Sequence, residues 1–233
     1  MDNAKPLRPN PVRAKSRSVT TLAIPLAAAI AAAVPAGIAA AFLARRFAHS
    51  SEPALWVAIL GCVLIAVWSA TAMPSAALIA VTCILGWTLL VLATVDVLAF
   101  RLPDLVTFPL IGAGLAVSWF LPAHDLPGHA IGAAAGFAAL YAIAMLFRMA
   151  RGKEGLGLGD AKLAAAAGAW LGWQALSYVV LLACAVGFLW FGVALARRGR
   201  AAAAERIPFG VALSLAIWIV WLYGLPAALD PAL

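Results

Sequence analysis

Long uninterrupted apolar runs constrain this chain more than any other feature. They fall at about 22–44, 55–73, 75–95, 105–122, 129–147, 162–174, 176–196 and 208–229. A helix needs roughly 20 apolar residues to cross a bilayer. The sixth run is short, so a tilted or partly re-entrant segment is expected there. Connections are brief and often hold Pro or Gly, as at Met73-Pro74-Ser75, Leu102-Pro103-Asp104 and His124 to His129. The expected fold is all-α, a polytopic membrane protein built as a bundle of about eight transmembrane helices.

Composition agrees with a lipid environment. Hydrophobic residues make up 66% of the chain and charged residues 11%, whereas soluble domains are about half apolar and a quarter charged. The net charge of +7 lies in short basic clusters between apolar runs. That is the pattern of cytoplasmic loops and membrane flanks, so the expected partner is the lipid bilayer and no nucleic acid. Cys62, Cys83 and Cys184 each lie inside an apolar run, with no CxxC pair or Cys/His spacing for zinc. They read as small buried residues, and neither metal nor cofactor is expected. The alanine runs are helix-favouring filler. Gly132 with Gly136, and Gly168 with Gly172, place small residues four apart, which permits close helix packing in membranes.

Lys and Arg set the orientation. Arg101, the group from Arg148 to Lys162, and the group from Arg197 to Arg206 fall on one side of the membrane if the helices between them all cross. By the positive-inside rule that side is the cytoplasm. Counting back through three spans puts Arg45 and Arg46 inside and the N-terminus outside, although the tail carries Lys5, Arg8, Arg13, Lys15 and Arg17. Either the first run, with Pro25 and Pro35 in it, does not span, or a basic tail is translocated.

The chain has nine carboxylates. Asp2 and Asp230 are near the ends, Glu52 and Asp125 sit in loops where a solvated side chain is the default, and Glu205 balances an Arg cluster. Asp96, Asp104, Glu154 and Asp160 remain, all on the deduced cytoplasmic side. Asp96 ends the apolar run LLVLATVD and Asp160 closes GLGLGD at the mouth of the sixth run. A carboxylate at a membrane edge is costly and usually has a task. Two at one depth on facing helices form a dyad that shares a proton, because like charges close together do not both ionise comfortably. The ionised member can deprotonate water while the protonated one polarises a scissile carbonyl. Glycines around Asp160 would let backbone pass close to substrate. The plainer readings are that Asp160 caps its helix with Lys162 nearby, and that Asp104 starts the fourth helix. A phosphate-binding loop does not fit, since no strand precedes the glycines.

Taken together, DVLAFRLPDLVTFPL (Asp96 to Leu110), GLGLGDAKLAAAAGAWLGW (Gly155 to Trp173) and IPFGVAL (Ile207 to Leu213) resemble the type IV prepilin peptidases, GxGD-type intramembrane aspartyl proteases. The resemblance covers about residues 85–225. It implies an aspartic endopeptidase of the bacterial inner membrane that cleaves the basic leader from prepilin or pseudopilin precursors at the cytoplasmic face. It places catalysis on Asp96 and Asp160, with Pro103, Asp104, Gly157, Gly159, Lys162 and Pro208 in supporting positions. The corresponding division is a basic polar tail at 1–21, N-terminal membrane helices at 22–74, a peptidase core at 75–229 and a C-terminal tail at 230–233. Longer members carry a cytoplasmic segment with paired CxxC motifs and also N-methylate the new N-terminus. Here only Arg45 to Pro53 occupies that place, without cysteine, so the resemblance does not carry the methyltransferase over. A non-catalytic assembly subunit and a small proton-coupled transporter are the alternatives. The transporter reading lacks an acid near the middle of any run, where coupling sites usually lie.

Overall fold

A computed structural model of the chain describes residues 19–48, 55–120, 125–152, 157–199 and 208–225. The expectations for the tail up to residue 18, for His49, Glu52, His124, Lys153, Glu154, Gly155, Arg200, Glu205, Arg206 and Asp230 lie outside the described residues.

The described residues form eight helices and no strand: α1 (Val19–Ala48), α2 (Leu55–Ala72), α3 (Ala76–Ala99), α4 (Asp104–Phe120), α5 (Leu126–Arg151), α6 (Leu158–Leu171), α7 (Leu176–Arg198) and α8 (Phe209–Tyr223). The fold is all-α, as expected. Among these, five are long and apolar enough to cross a membrane: Ala23–Phe47 within α1, then α2, α3, α5 and α7. Helix α1 runs unbroken through Pro25 and Pro35, so the prolines do not divide the first run. Each removes one backbone donor, a loss that membrane helices accommodate.

Small residues decide how the helices meet. Ala29, Ala33, Ala40, Ala41 and Ala44 form a buried stripe along α1. Within that stretch a Cβ on Gly37 would stand 2.5 Å from the Cα of Ile59 on α2. A second close approach sets the centre of the bundle. A Cβ on Gly168 of α6 would lie 2.1 Å from the carbonyl of Gly132 on α5, and one on Gly136 would lie 2.4 Å from the carbonyl oxygen of Ala164. The two backbones therefore touch, as the small-residue spacing led us to expect.

Beyond its first turn, helix α6 is buried on nearly every side. Ala161, Leu163, Ala164, Ala166, Ala167, Ala169 and Trp170 are all 2% exposed or less. A helix that is apolar all round belongs inside a bundle, and alanine lets α4, α5 and α8 approach it closely. At 14 residues α6 is about 21 Å long, shorter than the roughly 30 Å hydrocarbon core. Protein rather than lipid surrounds it, so its ends can stop within the bundle. Trp170 anchors the far end, donating from Nε1 to the carbonyl of Leu110 at 2.8 Å.

The pairing of Gly132 with Gly168 and of Gly136 with Ala164 makes α5 and α6 antiparallel. It brings Leu140 level with Asp160, and residues 141–151 of α5 run on past that level by about 16 Å of helix.

Two loop expectations change. Asp125 is not simply solvated: it caps α5, accepting from the Gly128 N–H at 3.1 Å. His129, placed at the end of a connection, is buried on α5 with Nδ1 2.9 Å from the carbonyl oxygen of Ala169. Cys62 and Cys83 are buried and Cys184 is half-buried, in keeping with their reading as small apolar residues.

Candidate active site

Asp96 lies in the last turn of α3 and is 6% exposed; Asp160 lies in the first turn of α6 and is 8% exposed. Their carboxylates are close enough for the charge on one to act on the other. The two aspartates singled out in the sequence are therefore brought together.

Helix α8 holds Asp96. Pro208 is its N-cap residue, and the Val211 N–H donates to Asp96 Oδ2 at 3.2 Å. The first amides of a helix lack the usual partner four residues back, and the dipole there favours a carboxylate. The Val211 N–H is shared between Asp96 and the Pro208 carbonyl, the latter at 3.3 Å. Gly210 makes the approach possible, since a Cβ there would stand 2.7 Å from the same oxygen. Pro208 thus stands at the start of the helix that seats Asp96.

Asp160 is held by its own helix. Its Oδ2 accepts from the Gly157 N–H at 3.3 Å, so the capping expected of Asp160 is present alongside its closeness to Asp96. Gly159 serves a different neighbour: a Cβ there would lie 2.8 Å from the Cβ of Leu102. Leu102 also reaches within 3.2 Å of the Cβ position of Gly210. One buried leucine therefore wedges between the start of α6 and the start of α8.

Asp104 and Lys162 pair with each other. Asp104 opens α4, and its carboxylate accepts from Lys162 Nζ, which also lies 5.4 Å from the ring centre of Phe108. The lysine expected beside Asp160 thus ties α6 to α4. Pro103 opens the same turn, its carbonyl accepting from the N–H groups of Val106 at 3.0 Å and Thr107 at 3.1 Å. Between α3 and α4, Phe100 ends the first of the two in the left-handed region at φ 50°. It is the one non-glycine residue with positive φ among those described.

Leu102, Gly210 and Val211 escaped the reading of single residues. Gly210 and Val211 lie within the quoted IPFGVAL, but a backbone amide carries no side-chain signature. Among the described residues no three His, Cys, Asp or Glu side chains group closely enough to hold a metal ion.

Residues 83–192 match the family model for the type IV leader peptidase family. Three curated relatives carry the name prepilin leader peptidase/N-methyltransferase. The one from Aeromonas salmonicida (strain A449) is 42% identical over 141 residues, 60% of this chain and 48% of the relative. The one from Burkholderia pseudomallei (strain K96243) is 42% identical over 138 residues, 59% and 44% of the two chains. The one from Pseudomonas aeruginosa is 39% identical over 141 residues, 60% and 48%. The chain spans about half the length of the curated relatives it matches. No solved structure matches it. The part of the chain that carries Asp96, Asp104 and Asp160 is the part that matches the type IV leader peptidase family.

Proposed function

We propose that this protein is a membrane-embedded aspartic endopeptidase that removes the basic leader from prepilin-like or pseudopilin precursors. The observation that carries the reading is the approach of two buried carboxylates, from α3 and α6, within the segment that matches leader peptidases. The relatives' names supply the substrate class.

In the proposed reaction the pair holds one proton. The ionised carboxylate takes a proton from water, and the water oxygen attacks the scissile carbonyl. The protonated carboxyl donates to the carbonyl oxygen as charge develops there. Collapse of the tetrahedral intermediate then breaks the C–N bond: the amine leaves with the proton taken from water, and a hydroxyl proton of the intermediate returns to the pair, which again holds one proton. The substrate's apolar helix lies in the bilayer of the inner membrane, with its charged leader in the cytoplasm. The basic residues Arg101, Arg148, Arg151, Arg197 and Arg198, at helix ends on the site's side, support that orientation. Methyl transfer is outside the proposal, because residues 45–53 contain no cysteine pair of the kind the longer members carry.

The test is prepilin cleavage in membranes by the wild type, Asp96→Asn and Asp160→Asn at matched expression. Each substitution should lower cleavage by at least about 100-fold, the lower range for a positioned acid or base. Full activity in either variant removes that residue from the mechanism. A wild type that cuts no prepilin beside an active control refutes the substrate class.

A further inference from the structure

A groove of about 750 Å³ opens beside the site, between the end of α3, the second half of α7 and the start of α8. Its walls include Val97, Phe100, Leu189, Trp190, Val193 and Pro208. On α7 the lining positions 186, 189, 190, 193, 194 and 197 recur at three- and four-residue steps, so they form one stripe on one helical face. The stripe is apolar for about 12 Å of helix, from Val186 to Ala194, and then ends at Arg197, with Arg198 beside it. Among the described residues no acid lines the groove.

We infer that this groove is a binding site for an anionic phospholipid, with an acyl chain along the α7 stripe and the phosphate at Arg197 and Arg198. The volume falls within the range of ligand pockets, roughly 300–1,000 Å³. An apolar channel closed by two cations complements an amphiphile with a negative head, and basic pockets between membrane helices recognise such headgroups. A peptide with a basic leader is the poorer occupant, since its charge would meet both arginines. The site neighbours the dyad, because Val97 follows Asp96 in the chain and Pro208 opens the helix that holds it.

Tryptophan quenching in the purified full chain tests this, using phosphatidylglycerol and phosphatidylcholine with brominated acyl chains in mixed micelles. Brominated phosphatidylglycerol should quench at lower mole fraction than brominated phosphatidylcholine, and Trp190→Phe should remove the difference. Arg197→Gln and Arg198→Gln should each weaken the preference about fivefold, while Arg197→Lys combined with Arg198→Lys keeps it. Circular dichroism checks that each variant is folded. Equal quenching by the two lipids in the wild type would overturn the inference. So would a preference that survives both glutamine substitutions, or displacement of the lipid by an apolar peptide carrying a basic leader, which would make the groove a peptide site.

Discussion

Val211 donates its backbone N–H to Asp96 Oδ2 across 3.2 Å, joining the start of α8 to the end of α3. This bond depends on the missing side chain of its neighbour. In Gly210→Ala the new Cβ falls 2.7 Å from that oxygen and 3.2 Å from Leu102, so carboxylate and leucine must both move. Prepilin cleavage is expected to fall at least about tenfold, since misplacing a reacting group by an ångström can cost about 100-fold. Unaltered cleavage in this variant would show that the Asp96 position tolerates displacement.

A pair that works with one shared proton has a two-sided pH profile. Cleavage should fall toward low pH, as the second carboxylate is protonated, and toward high pH, as the shared proton leaves. The rate measured across pH in detergent, on a substrate that does not itself titrate, reports this. A profile with a single limb would argue for one carboxyl acting alone.

The contact of α5 with α6 predicts a stability effect away from the chemistry. Gly168→Val places its Cβ 2.1 Å from the Gly132 carbonyl, and backbone cannot yield as a flexible side chain does. Destabilisation by about 1–3 kcal/mol or more is expected from overpacking. Thermal unfolding in detergent measures it, with Gly187→Val as the control, because a Cβ at Gly187 meets nothing within 4 Å.

Helices α1, α2 and α3 each contain a segment of spanning length. If all three cross, the first turn of α1 lies on the face opposite the site. A cysteine replacing Ala23, exposed at the start of the spanning segment of α1, should then react with an impermeant thiol reagent from that face only. Reaction from the face that carries Arg101 would mean that α1 does not cross, and would satisfy the positive-inside rule for the basic tail.

Much of this was legible in the sequence because lipid imposes a length on apolar runs. The run expected at 105–122 is a helix at Asp104–Phe120, and the short sixth run is the short α6. What the run of alanines could not show was its surroundings, since alanine suits lipid and a packed core alike. The glycines at 132 and 168 settle that, and only once paired in space. Asp96 and Asp160 emerged by elimination because so few acids exist to choose from. The partner of Lys162 did not: Asp104 is 58 positions away in the chain, whereas Asp160 is close by in sequence. Leu102 was hidden for another reason, since it acts by shape between two glycines and looks like any other leucine.

Burial of α6 within the bundle has a mechanical consequence. A bilayer thinner than the apolar span of a protein is accommodated by tilt of the helices that touch it, and a thicker one by local thinning of the lipid around them. Those are the long outer helices, α5 and α7 among them, whose large apolar side chains are exposed. The helix that carries Asp160 has little lipid-facing surface beyond its first turn. Changes in membrane thickness therefore reach Asp160 through its protein neighbours, and the backbone contact of Gly132 with Gly168 is one of the couplings that transmit them.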